Sequence, residues 1–345
     1  MTAVFDGHND ALTRDDHAGF ATGRPDGHLD LPRMRAGGMR GGIFAVCVPS
    51  PSVFANPVAR GDGVLEFALS KEIPHPAASA FASRAAGRLM ALERAGEVQI
   101  GRNVGDLDAA AADVGGPPVA VLHLEGAEAI DPGLESLELW HAAGLRSLGP
   151  VWSRPTEFGH GVPFVFPSTP DIGPGLTAAG DALIRRCAEL GIMVDLSHLN
   201  EAGFWDVARA DVGPLVASHS GAHALCGASR NLTDAQLDAV AASDGLVGIV
   251  FGCPFLRTDF ADDPDTPLEL IARHAAYVAE RIGVTHVALG SDFDGATIPA
   301  QLGDVTGIPR LLEALVAVGF SDAEVQAIAW DNWRRVLGAW WGEIG

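Results

Sequence analysis

The sequence predicts an α/β fold of parallel βα units closed into a TIM-type (β/α)8 barrel, a single domain over residues 1–345. Three observations predict it. Apolar, strand-like runs alternate with helical runs about eight times along the chain, the pattern of parallel βα units. No low-complexity linker interrupts that alternation. Polar residues follow the strand-like runs, and a barrel builds its active site at the C-terminal ends of its strands. An open doubly wound sheet is the alternative, but it lacks its Gly-rich dinucleotide fingerprint here.

The elements follow in order. Val4 to His8 reads as the first strand, and His28 to Met39 as a helix or loop-helix. Ile43 to Val48 is an apolar strand, followed by a Pro-rich, irregular excursion from Pro49 to Pro76. Ser79 to Ala95 has helical periodicity and stops at Gly96, and a second helix falls near Asp106 to Ala112. Val119 to Leu124 is a strand, Leu134 to Ala143 a helix and Leu145 to Val151 a strand. Arg154 to Pro174, rich in Pro, Gly and Phe, reads as a long loop over one end of the fold. Leu176 to Leu190 is an amphipathic helix closed by Gly191.

The second half is more regular. Strands are expected at Ile192–Leu196, Leu215–Ala217, Leu246–Phe251 and His286–Leu289. Helices are expected at Asn200–Ala210, Asp234–Ala242, Pro267–Ile282, Val305–Val318 and Asp322–Trp341.

Composition narrows the function. Acidic residues outnumber basic ones 44 to 23, a net charge of −21, which argues against nucleic acid as a partner. Lys71 is the only lysine, so a catalytic or metal-bridging lysine is almost excluded. Cys47, Cys187, Cys226 and Cys253 lie far apart with no CxxC, as expected of reduced core residues. No apolar run approaches the roughly 20 residues of a membrane span. The polar pair at His8 leaves no room for a leader, so a cytoplasmic protein without membrane contact is expected.

Chemistry gathers at the strand ends. His8 and Asp10 sit two positions apart, so on an extended segment they share a face. An imidazole and a carboxylate aimed at one point suit a divalent cation such as zinc, but such a pair alone is weak evidence. Glu125 follows the strand at Val119, His198 the one at Met193, His219 the one at Val216 and Asp292 the one at Val287. One such residue is ordinary; the set is not.

Asp6-Gly7-His8-Asn9-Asp10, His123-Leu124-Glu125-Gly126, Asp195-Leu196-Ser197-His198, Ser218-His219-Ser220, Ser229-Arg230-Asn231 and Gly290-Ser291-Asp292-Phe293-Asp294-Gly295 occur in this order. Together they resemble the renal (membrane) dipeptidase family of zinc peptidases, within the amidohydrolase-like barrels. The resemblance runs from residue 6 to about Asn332. It implies a dipeptidase with two zinc ions per chain, His8 and Asp10 holding one, His198 and His219 the other, and Glu125 bridging them. It also implies that Arg230 binds the substrate's C-terminal carboxylate, for which a guanidinium fork is suited. Asp292 would be the proton shuttle in an attack by metal-bridging hydroxide on the peptide carbonyl. The substrates implied are dipeptides, L-Xaa-D-Xaa among them, and a homodimer is a candidate assembly. His123, Asp6 and Asp195 are read as supporting groups rather than ligands.

The sequence departs from the family at the fourth strand. Relatives carry a histidine there that helps to bind the substrate carbonyl, and Trp152 stands in its place. Its indole N–H is one candidate for that role and His160 in the following loop is another. Hydrolysis of another amide, such as an N-acyl amino acid or a lactam, is the alternative function. A metal-binding barrel that has lost activity is a third.

Overall fold

The computed structural model describes residues 2–50, 58–59, 62–67 and 71–342. Five strands form the path of the larger sheet: β1 (Val4–Asn9), β2 (Met39–Cys47), β3 (Val119–Glu125), β4 (Leu145–Gly149) and β5 (Met193–Val194). A short strand, Gln99–Ile100, adds to the start of β3. Three more form the second sheet: β6 (Val216–Ser220), β7 (Leu246–Val250) and β8 (Val287–Gly290). All of these pairings are parallel, and the sheets curl rather than lie flat. Single parallel bridges, Asp195–Val216 and Asn9–Phe293, join one sheet to the other at both margins.

The strands are buried along their length, as parallel strands covered by helices must be. One apolar core runs from Val4 to Trp340. Its interior is tight. The carbonyl of Ser218 is crowded by the backbones of β7 and β8, and a Cβ on Gly248 or Gly290 would lie 1.9 or 2.0 Å from it. Only glycine fits such an approach. Helix starts are fixed locally: Asn200 caps Glu201–Ala210, and Thr233 and Gln236 form a capping box for Asp234–Ala242.

Most expected elements are present, with shifted edges. β2 begins at Met39, earlier than the apolar run alone suggested, because Gly41 and Gly42 pair with Val119 and Ala120. Glu125 and His219 lie within their strands rather than after them. The strand expected at Ile192–Leu196 shrinks to Met193–Val194, since Leu196 N bonds Val216 O and Leu199 N already turns back onto Leu196 O. The last helical segment is broken by a π-turn at Ala327–Asp331 between Asp322–Gln326 and Asn332–Trp340.

The two long loops are not structureless. Within 154–174 the pair Pro155–Thr156 and Gly159–His160 forms a hairpin. Val165–Phe166 joins Leu65–Glu66 and Val58–Ala59 in a small antiparallel sheet, so the two excursions meet. Residues 51–57, 60–61 and 68–70 of the first excursion lie outside the described residues. A separate apolar cluster of Phe164, Cys226, Ala228 and Phe260 packs there with Phe67, Trp152, Phe166 and Phe255. Among the described residues no helix is long and apolar enough to cross a membrane.

Candidate active site

β1, β3, β6 and the segment after β5 bring His8, Glu125, His219 and His198 to one point. One oxygen of Glu125, Oε1, is 2.8 Å from Nε2 of His198 and 3.6 Å from Nε2 of both His8 and His219. Asp10 joins from the end of β1, with Oδ2 at 3.5 Å from His8 Nε2. The His8 and His219 rings stack at 3.8 Å between centroids. Two donor sets share Glu125: His8 with Asp10, and His198 with His219, the donor atoms in each lying within 4.8 Å of one another.

The electrostatics point to missing positive charge. Burial lifts the Glu125 carboxyl to about 8, with Asp10 and Asp292 adding to the rise against the pull of His8. Burial works to lower His8, but Glu125, Asp10 and Asp292 outweigh it and raise it to about 10. Burial holds His198 and His219 well below the ordinary imidazole range, so both present neutral rings. Both ring nitrogens of His8 are buried without a hydrogen-bond partner. Neutral imidazoles, converging carboxylates and an orphaned ring nitrogen fit a divalent ion, and nitrogen with oxygen donors suits zinc.

The ligand rings are aimed by neighbours. Ser153 Oγ meets His198 Nδ1 and Ser218 Oγ meets His219 Nδ1, each at 2.8 Å. Ser218 Oγ in turn lies 2.5 Å from Asp195 Oδ2, and Ser197 Oγ donates to Asp195 Oδ1 at 2.7 Å. Asp6 accepts the backbone N–H and the hydroxyl of Ser291, at 2.7 and 2.8 Å, which ties β1 to the end of β8. His123 lies behind the site, with Nδ1 at 2.8 Å from Ser147 Oγ and Nε2 at 3.7 Å from Asp195 Oδ2. Such partners fix the tautomer and orientation of metal-binding histidines.

Asp292 stands on the rim, its backbone N–H bonded to the His8 carbonyl at 3.0 Å. Its φ of 59° is left-handed, and Asp294 at 68° repeats the turn. Burial, with Asp10 nearby, lifts the Asp292 carboxyl to about 6 against His8 and Arg230. Gly295 separates the two acids: a Cβ there would sit 2.2 Å from Asp10 Oδ2 and 2.4 Å from Asp292 Oδ1. Asp294, the other acid of this turn, is tied up with Arg24 and with the backbone N–H of His28.

A cavity of about 450 Å³ opens onto this cluster, lined by Asp10, Glu125, His198, His219, Arg230 and Asp292. Arg230 is anchored by Ser220 Oγ at 2.9 Å and the His219 carbonyl at 3.0 Å, which leaves Nε without a partner. Trp152 lines the cavity and lies over His198, ring centroids 5.5 Å apart. His160 is not among the lining residues; it sits in the Pro155–His160 hairpin with Nδ1 at 3.2 Å from the Gly175 carbonyl.

Sequence reading passed over several residues here. Arg154, wholly buried, lies 5.1 Å from the Trp152 ring and forms an ion pair with Glu128. Phe255, in the short helix Cys253–Leu256, lines the cavity beside Arg230. Ser218 is marked in the sequence by standing next to His219, whereas nothing in the sequence ties Ser153 to His198.

Parallel strands whose ends gather imidazoles and carboxylates around a cavity define a metal-dependent hydrolase. The family model "Membrane dipeptidase (Peptidase family M19)" matches residues 1–340, and the chain belongs to that family of metal-dependent dipeptidases. A metallo peptidase from Rhodobacter sphaeroides, solved with a phosphinate mimic of the dipeptide L-Ala-D-Ala, is 45% identical with a TM-score of 0.92, over 98% of this chain and 99% of that one. An uncharacterized protein from the pqqA 5' region of Klebsiella pneumoniae is 51% identical over 221 residues, 64% of this chain and 82% of its own length. Dipeptidase aclJ of Aspergillus oryzae is 34% identical over 220 residues, 64% of this chain and 51% of its own length. An amidohydrolase from Pseudomonas aeruginosa, 20% identical with a TM-score of 0.76 over 99% of this chain and 97% of that one, shares the fold.

Proposed function

We propose that the chain is a dinuclear zinc dipeptidase that cleaves dipeptides, L-Xaa-D-Xaa among them, at the mouth of a closed (β/α)8 barrel. The observation that carries this reading is the single Glu125 oxygen within 3.6 Å of three imidazole nitrogens. His8, Asp10 and Glu125 would hold one ion, and Glu125, His198 and His219 the other. Such a pair, when bound, polarises the peptide carbonyl and lowers the pKa of water, so a nucleophile exists at neutral pH.

The chain's own residues do the rest. Arg230, held by Ser220 and the His219 carbonyl, would receive the substrate's C-terminal carboxylate. Asp292 would take the proton of the attacking water on its carboxylate and give it to the departing amine. Barrel closure is supported by the two bridges, Asp195–Val216 and Asn9–Phe293, at the gaps between the sheets. A D-residue at the C-terminal position is supported by the mimic bound to the Rhodobacter relative.

The test is zinc analysis followed by turnover of L-Ala-D-Ala, L-Ala-L-Ala and N-acetyl-D-alanine. Two zincs per chain and rapid release of alanine from L-Ala-D-Ala are expected. Turnover confined to N-acetyl-D-alanine would move the function to another amide, and one zinc at full activity would remove the dinuclear reading.

A further inference from the structure

The aromatic rings of the cavity form a path. Phe164 lies 6.3 Å from the His198 ring and 5.8 Å from Phe255. Phe255 in turn lies 6.0 Å from the guanidinium carbon of Arg230. Trp152 covers the start of the path, 5.7 Å from Phe164, and Phe260 backs it, 6.2 Å from Phe255. All four rings line the cavity.

The path therefore joins the proposed metal cluster to the proposed carboxylate clamp. A dipeptide held by both has its scissile carbonyl at the first and its terminal carboxylate at the second. Only one residue of the substrate spans that interval, the C-terminal one. The rings run along that same interval. Three of the cavity's carboxylates, Asp10, Glu125 and Asp292, gather instead around His8, while Asp262 and Asp294 also line the wall.

We infer that Phe164 and Phe255 form an apolar subsite for the side chain of the substrate's C-terminal residue, so that dipeptides ending in an apolar residue are preferred over those ending in an acidic one. This rests on the dipeptidase reading above. Burying an apolar side chain against rings is favourable, whereas a carboxylate laid against the same rings gives up its water. Phe255 is the specificity-determining residue, because it stands against both Phe164 and Arg230.

The experiment uses the zinc-loaded full chain and measures kcat/KM for L-Ala-D-Ala, L-Ala-D-Leu, L-Ala-D-Phe and L-Ala-D-Asp, with the L,L series beside them. We expect L-Ala-D-Leu to exceed L-Ala-D-Asp by at least roughly tenfold, the scale on which apolar pockets discriminate. Phe255→Ala should shrink that ratio mainly through KM for the leucine substrate, and Phe255→Leu should restore most of it. Equal or better turnover of L-Ala-D-Asp, or a ratio unmoved in Phe255→Ala, overturns the subsite while leaving a dipeptidase. Absence of turnover for every dipeptide overturns the dipeptidase reading itself.

Discussion

Glu125 and His198 meet head-on: Oε1 of the acid stands 2.8 Å from Nε2 of the imidazole, both buried, although 73 positions separate them in the chain. The same oxygen faces two further imidazoles, so any change to it is felt by both proposed ion sites. Glu125→Gln keeps the shape but removes the charge. We predict that it binds fewer than two zincs and loses at least roughly a hundredfold in kcat. Zinc content and steady-state rates on L-Ala-D-Ala check this, and full activity with full zinc would refute a bridging role.

Asp292→Asn separates proton transfer from binding. Loss of a positioned general acid–base group costs about 10²–10⁴-fold. We predict a fall of that size in kcat with KM changed less than about threefold and zinc retained. A variant that lost its zinc would make Asp292 a ligand instead.

Asp195 acts through Ser218, whose hydroxyl links it to Nδ1 of His219. Asp195→Asn should cost about 10–100-fold in metal affinity or activity, the usual effect of disturbing a ligand's orienting partner. A competition titration with a chelator reads it directly. An unchanged zinc affinity would reduce Asp195 to a packing role.

Trp152 and His160 now separate. His160 stands outside the cavity lining and bonds a loop carbonyl, so His160→Ala should leave kcat within about threefold. Trp152 covers His198, and Trp152→Ala should lower kcat/KM by about tenfold or more by opening that wall. A large loss in His160→Ala with zinc retained would return that residue to the chemistry.

His274 reports on acid stability without touching the site. Its Nδ1 accepts the Ala222 N–H at 3.0 Å, and burial lowers its pKa to about 4 from 6.5. The native ring stays neutral while the unfolded one takes a proton, so the stability it contributes is present above about 6.5 and is lost as pH falls toward 4. The loss amounts to about 3 kcal/mol over that window. Thermal melts from pH 7 to 4 should show His274→Gln falling less steeply than the parent chain. Parallel slopes would contradict this.

The fold was legible because periodicity is local. The helix Asp234–Ala242 falls where expected, and its cap is written in Thr233 and Gln236. The donor set was legible because each member lies at a strand end, beside an apolar run. Other features were not. Arg154 and Glu128 are 26 positions apart, and neither residue names the other until the chain folds. Phe255 sits in a four-residue helix too short to leave a periodic trace. The π-turn before Asn332 likewise arises from packing: Asn332 Nδ2 bonds the carbonyls of Val284 and Val287, and Trp333 Nε1 that of Leu289. The early end of β5 reflects the Asp195 side chain, which accepts hydrogen bonds from Ser197 and Ser218.

The small sheet of Val58–Ala59, Leu65–Glu66 and Val165–Phe166 has a consequence for engineering and for divergence alike. Its strands come from excursions about a hundred residues apart, and its backbone bonds make them one object. Neither excursion is a free module. A graft of one loop from a relative, without the other, leaves an edge strand with no mate above the cavity. Swaps intended to alter selectivity will have to transplant the two segments as a pair, and insertions tolerated in one should be found matched by changes in the other.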